Sequence, residues 1–409
     1  MMYLCSESML ALTADQNLYL WPIAERNVQP DLNAPSILIA SSVAMFRTFY
    51  PNPAMAVLTT DGRVLIPLLL GGELEDITPI IHRALEGVCG IINGNLITDI
   101  HVYQNTIIAR NDTSFCSVKV QYTTGVRYEA ESLEVYAHTF DDRIDLVGLG
   151  FSYAFIRTAN NKLYSIGDSP HHDYPARVID TIPRLVEFRE TANIQEIIGG
   201  NFSTHTLFLM NDGSVYGCGL ADGNRGPRAQ VTGAANQSLF VRVEFPEGVC
   251  VTKIVTYCYQ AFFITVAGEC YFSDFHNDRT ARPGKGLLPV LIRAFDDMRV
   301  EDVLNVSRCT MVRYDGGNYC SIPNRDAITA EYINGTAKPT LLPFDHDEHI
   351  TTVARGSGCA YYITDQGHVY NTHPSSACNP SRVPFFDSNP VAVDGNTVAI
   401  PSTRSCLDD

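Results

Sequence analysis

Short apolar runs alternate with polar turns along most of the chain, and the pattern is clearest at residues 204–226 (THTLFLMNDGSVYGCGLADGNRG). There an apolar run at 207–210 meets a turn at Asn211-Asp212-Gly213, and a second run at 214–218 follows. Two β-rich segments flanking an Asp-Gly pair, which tolerates positive φ, predict a β-hairpin. A lone hairpin is marginal in water, so this one needs neighbours. Seven weaker copies supply them: 9–13 with 17–21, 55–59 with 63–70, 106–109 with 115–120, 154–157 with 162–167, 261–266 with 269–272, 310–313 with 318–322, and 360–364 with 368–370.

The turn positions Gln16, Gly62, Asp112, Asn161, Gly213, Gly268, Gly317 and Gly367 are separated by 46, 50, 49, 52, 55, 49 and 50 residues. All but Gln16 are Gly, Asn or Asp, the types that best accept left-handed backbone. Between hairpins a second theme recurs. Some runs follow a proline (183–188, PRLVEF; 289–292, PVLI), and others are apolar segments ending in glycine (145–150, DLVGLG; 194–200, IQEIIGG; 350–356, ITTVARG). Each unit therefore holds four short strands, and helical periodicity is scarce outside residues 80–85. Four strands every fifty or so residues predict an all-β fold, a single β-propeller of four-stranded blades spanning 1–409, eight by hairpin count. Residues 390–401 (PVAVDGNTVAIP) resemble the first half of another unit. Their pairing with the N-terminal hairpin is expected to close the ring and remove free edges.

Composition narrows the function. The net charge is −16, from 45 Asp and Glu against 29 Lys and Arg, and basic residues are not clustered. A nucleic-acid partner is excluded on that ground, because phosphate backbones require clustered Lys and Arg. No apolar run is long enough to span a membrane and the N-terminus lacks signal-peptide character, so a cytoplasmic or nuclear protein with no membrane partner is expected. The twelve cysteines include no C-x-x-C pair, and most fall in apolar runs, which predicts buried free thiols rather than disulfides or zinc ligands.

A single Trp argues against WD and kelch repeats. The units instead resemble the repeat of the regulator of chromosome condensation family. The fifth matches best, through Ile198-Gly199-Gly200, His205, the apolar strand 207–209, Asp212-Gly213, Val215-Tyr216 and Gly217-Cys218-Gly219. Residues 163–167 (LYSIG) and Val369-Tyr370 echo it, while the Gly-Gln-Leu-Gly loop usual after the Tyr strand is missing. The resemblance implies a seven-bladed precedent, a packing role for His205, and guanine nucleotide exchange on a small GTPase as one activity. Members acting on Ran insert a projecting hairpin. Intervals of at most 55 residues leave little room for one here.

Candidate chemistry is sparse. The Asp345-His346-Asp347-Glu348-His349 run offers carboxylates and imidazoles, but following Pro343 it fits a solvated loop better than a metal site. Neither a P-loop nor a dinucleotide fingerprint occurs, no catalytic set assembles, and no cofactor is expected. Three polar loops follow hairpins four, five and six. They carry His171, His172 and Asp173; Arg225 and Arg228; and His276 and Arg279. Loops on a rigid scaffold are the usual place for recognition. The expected function is a non-enzymatic module presenting these loops to a protein partner, with a small GTPase or a larger assembly as candidates. Nucleotide exchange is the alternative.

Overall fold

Every predicted hairpin forms, and each acquires a strand on either side. The computed structural model describes residues 2–5, 8–12, 15–22, 37–49, 54–67, 74–89, 97–103, 106–120, 133–149, 153–167, 180–199, 206–218, 240–257, 260–274, 289–306, 309–323, 330–342, 350–355, 360–366, 368–372 and 381–382. The first sheet comprises β1 (Met2–Cys5), β2 (Ser8–Leu12), β3 (Leu18–Pro22) and β4 (Ile37–Ala40); the second β5 (Val43–Phe49), β6 (Ala54–Thr59), β7 (Val64–Pro67) and β8 (Leu74–Asp76). The third comprises β9 (Asp99–Tyr103), β10 (Thr106–Arg110), β11 (Ser114–Lys119) and β12 (Glu134–Thr139); the fourth β13 (Ile144–Leu149), β14 (Tyr153–Thr158), β15 (Leu163–Gly167) and β16 (Asp180–Val186). The fifth comprises β17 (Ile194–Gly199), β18 (Thr206–Met210), β19 (Val215–Cys218) and β20 (Val241–Arg242); the sixth β21 (Val251–Tyr257), β22 (Gln260–Thr265), β23 (Cys270–Asp274) and β24 (Val290–Leu291). The seventh comprises β25 (Val300–Val306), β26 (Cys309–Tyr314), β27 (Asn318–Pro323) and β28 (Thr340–Leu341); the eighth β29 (Ile350–Arg355), β30 (Ala360–Thr364), β31 (Val369–Thr372) and β32 (Ser381–Arg382). All eight are antiparallel meanders, eight rather than the seven of the family precedent.

The turn chemistry explains the period. Gly62, Asn161, Gly213 and Gly268 each donate an amide to the carbonyl three residues back, and each has positive φ, between 62° and 83°. Gln16, the compositional exception, adopts the same conformation at φ 64°. Asp112 does not share it among the described left-handed residues. Its hairpin is closed by the Asn111 side chain, whose Oδ1 accepts the amides of Thr113 and Ser114 at 3.1 and 2.8 Å. Gly367 lies outside the described residues.

These turn residues also tie one sheet to the next. The carbonyls of Gln16, Asp112 and Gly213 accept the amides of Val43, Ile144 and Val251, each the first residue of the following sheet, at 2.9, 2.6 and 3.0 Å. Within five of the sheets a return bond joins the turn to the approach of the first strand: Thr60 to Ser42, Ala159 to Arg143, Asn211 to Asn193, Val266 to Cys250 and Asp315 to Arg299, at 2.8–3.1 Å. Buried amides at the strand ends are thereby satisfied by main chain.

By internal contacts the chain divides into two compact units, residues 80–119 with 134–292 and residues 1–79 with 120–133 and 293–409. In the former, the first strands β13, β17 and β21 lie side by side. Gly148 makes the closest approach there, since a Cβ would overlap the Ile197 side chain and lie 2.8 Å from the Ile197 carbonyl. Phe155, Phe208, Tyr153, Ile194 and Met210 fill the layer between sheets four and five, and Leu207, Leu209, Val251 and Phe263 fill the layer between five and six. Each fully buried Phe contributes about 2–3 kcal/mol. Tyr153 and Thr206, both buried, share a 2.7 Å hydroxyl hydrogen bond across the same layer.

In the other unit, β25, β29 and β1 are likewise neighbours, and Tyr362 donates to the Met311 Sδ at 3.0 Å between sheets eight and seven. Residues 390–401 lie outside the described residues; the first sheet takes its fourth member from β1, which stands beside β29. The 80–85 periodicity belongs to helix α1 (Thr78–Cys89), started by Asp76, whose Oδ1 accepts the Thr78 amide at 2.9 Å, and buried through Ile81 and Leu85. A second helix, α2 (Ala330–Ile333), was not expected.

Gly213→Ala is expected to cost about 2–4 kcal/mol, combining left-handed strain with overlap of its methyl on the Cys250 Sγ. Adding Cys250→Ala relieves only the overlap, so thermal denaturation should show partial recovery. Full recovery, or none, contradicts this account.

Candidate interaction face

All seven candidate residues, His171, His172, Asp173, Arg225, Arg228, His276 and Arg279, lie outside the described residues, within 168–179, 219–239 and 275–288. The strands that launch them are described. Each segment leads from the third strand of a sheet to its fourth: β15 to β16, β19 to β20 and β23 to β24. Gly167 pairs with Asp180 at the first stem, Gly217 with Val241 at the second, and Phe272 with Val290 at the third.

A four-stranded meander puts its second-to-third turn at one end and its other two connections at the opposite end. The turn ends of these sheets are aligned. Arg157, at the turn end of β14, donates to the Ile194 carbonyl at the start of β17, and the Gly213 carbonyl accepts from Val251 at the start of β21. The three segments therefore leave the same end of three adjoining sheets.

The central segment, 219–239, is held at both ends by one core layer. Cys218 before it is buried, and Phe240 after it stacks on Phe188 with ring centroids 4.1 Å apart and meets Phe208 edge-on at 5.1 Å. Such ring pairs add about 1 kcal/mol each beyond their buried area. Burial raises the Cys218 thiol far above its ordinary range, which makes it a packing group rather than a nucleophile. Cys116, Cys270 and Cys320 are also free and buried, as expected, whereas Cys250 is free but only half-buried.

Polar clamps between sheets escaped the sequence reasoning. Arg110 on β10 donates to Asp99 on β9 at 2.9 Å and to the Ile144 carbonyl of the next sheet at 3.4 Å. Arg157 repeats the arrangement with Asp145, the Ile194 carbonyl and, at 3.4 Å, the Thr191 carbonyl. In the other unit, Arg313 stands 3.2 Å from Glu301. The signal was available: Asp99 to Arg110, Asp145 to Arg157 and Glu301 to Arg313 span 11 or 12 positions, always from first strand to second. Further along the same belt, burial raises the Glu196 pKa against the opposing pull of Lys253 on β21. At Asp99 desolvation is outweighed by His101 and Arg110, which hold the carboxyl well below its ordinary range. The His101 Nε2 lies 3.1 Å from Asp99 Oδ2 without hydrogen-bond alignment.

Among the described residues no group of three His, Cys, Asp or Glu is placed to hold a metal, and no helix is long and apolar enough to cross a membrane. His205 and residues 345–349 lie outside the described residues.

No protein-family model matches the chain, and no curated protein matches it. Solved structures do, and they define its class: the chain is a β-propeller. It is similar to human WBSCR16, with TM-score 0.50 and 11% identity, covering 82% of this chain and 90% of that one. It is equally similar to Prp20p of Saccharomyces cerevisiae, with TM-score 0.50 and 14% identity, covering 87% and 91%. Yeast RCC1 (Prp20) in a complex with Kap60 also matches, at TM-score 0.47 and 13% identity over 77% and 78%. At these identities the likeness is one of fold.

Asp99→Asn is expected to cost about 2–3 kcal/mol near neutral pH, because it leaves Arg110 partly buried without its counter-charge. The depressed carboxyl stabilises the fold above the ordinary carboxylate pKa of about 4 and loses that contribution as pH falls toward its folded value. Denaturant titrations of both proteins should therefore converge as pH drops below about 4; a gap independent of pH would rule the clamp out.

Proposed function

We propose that this protein is a non-enzymatic interaction module that presents the 168–179, 219–239 and 275–288 segments to a protein partner in the cytoplasm or nucleus. One observation carries the reading: the three segments leave the same end of adjoining four-stranded sheets, the middle one between two buried anchors. A rigid base with variable connections at one end is a common arrangement for recognition. Arg225 and Arg228 are the residues assigned to contact the partner, with His171, His172, Asp173, His276 and Arg279 beside them. Arginine in particular recurs at the centres of protein interfaces.

A second reading, nucleotide exchange on a small GTPase, is favoured by the fold match to Prp20p, whose structure was determined together with its binding properties to Gsp1p and histones.

Affinity purification with wild-type protein and with Arg225→Glu/Arg228→Glu tests the first reading. Loss of one or more partners from the variant is expected, and an unchanged partner set removes the 219–239 segment from the account. Stopped-flow release of a fluorescent nucleotide from a panel of small GTPases tests the second. Acceleration at micromolar protein supports exchange, and flat traces eliminate it.

A further inference from the structure

At the end of sheets five and six opposite the 219–239 and 275–288 segments, the chain forms an open cleft of about 310 Å³. One wall is the connection from β20 to β21, residues 246–250; the other is the hairpin turn 265–269, with Tyr271 at the base. Two kinds of side chain meet there. Val266 is 63% exposed, a conspicuous apolar surface beside Pro246 and Val249. Glu247 and Glu269 flank it, both exposed, and neither forms an ion pair among the described residues. The Tyr271 hydroxyl is raised in pKa by burial and then by the charge of Glu269, so the carboxylate field reaches the base of the cleft.

Main-chain hydrogen bonds shape both walls. The Val266 amide donates to the Cys250 carbonyl at 3.0 Å, joining one wall to the other. Val249 donates to the Pro246 carbonyl at 3.2 Å around Gly248, whose φ of 85° is the left-handed conformation this turn requires. The opposite turn is closed by Gly268 donating to the Thr265 carbonyl at 2.9 Å. A cleft preformed in this way loses little entropy on binding.

We propose that this cleft docks a short basic and apolar peptide segment of a partner protein. One aliphatic side chain of the segment lies against Val266, and flanking Lys or Arg residues meet Glu247 and Glu269. Charge complementarity selects this occupant over an acidic peptide, and the net charge of −16 steers a basic segment inward. The surface is separate from the one assigned above, at the other end of the same sheets.

Fluorescence anisotropy of a labelled GSGKLKGSG peptide titrated with the full-length protein tests it, with GSGELEGSG and GSGKSKGSG as companions. Saturable binding of the first is expected, and at least about tenfold weaker binding of either companion. Glu247→Gln/Glu269→Gln should weaken the first by about tenfold and Val266→Ser by about threefold. If the double glutamine variant loses its thermal transition, Val266→Ser decides alone. The proposal is overturned by absence of binding at several hundred micromolar, by equal binding of GSGELEGSG, or by wild-type affinity in folded cleft variants.

Discussion

One kind of main-chain hydrogen bond, found at three hairpin turns among the described residues, ties a sheet to the one that follows. A residue held left-handed at a hairpin turn points its carbonyl at the first amide of the next sheet, as Gly213 does to Val251 and Gln16 to Val43. The turn cannot relax without withdrawing that carbonyl, so hairpin geometry and the placement of the following sheet form one constraint. Side-chain layers such as Phe155 against Phe208 then fill a spacing the backbone has already set. The clamps of Arg110 and Arg157 add to it, each donating to a carbonyl of the sheet that follows.

This division of labour decides what was legible in the chain. The period near fifty residues was visible because left-handed turns restrict residue type, and even the apparent exception, Gln16, holds the required φ of 64°. Sheet three was faint because Asn111 closes its turn with a side chain instead of a left-handed backbone. Strands of two residues, such as β20 and β24, leave no periodic signature at all; the proline-led run at 289–292 hinted at β24, and nothing marked β20. Helix α2 is too short for a helical stripe to be seen. The candidate loops were found by composition, and their common origin followed from counting strands. The clamp arginines were overlooked because each sits in an apolar run and its partner lies in another run, a dozen positions earlier. The cleft at 246–250 was overlooked because it joins a turn to a connection that are adjacent only after folding.

The backbone character of the inter-sheet bonds also accounts for the contrast between a shared fold and identities of 11–14%. A carbonyl and an amide are present whatever the side chain, so substitution erodes the recognisable sequence while leaving the bond in place. Side-chain identity is restricted by the backbone at Gly148 and Gly213, which have no room for a methyl.

The outer strands bear on the behaviour of the protein in a crowded solution. Most are stubs of two to four residues, yet several display apolar side chains: Ile37 and Leu38 on β4, Val290 on β24 and Leu341 on β28. Stickiness there comes without a row of free amides and carbonyls long enough to template another strand. The longest outer strand, β16 at seven residues, is also among the most apolar at its surface, with Ile182 and Leu185 exposed, and it carries Pro183 between them. That proline removes a donor from the middle of the exposed edge, so the sheet most suited to recruiting a neighbouring molecule into an aggregate is the one whose edge is interrupted.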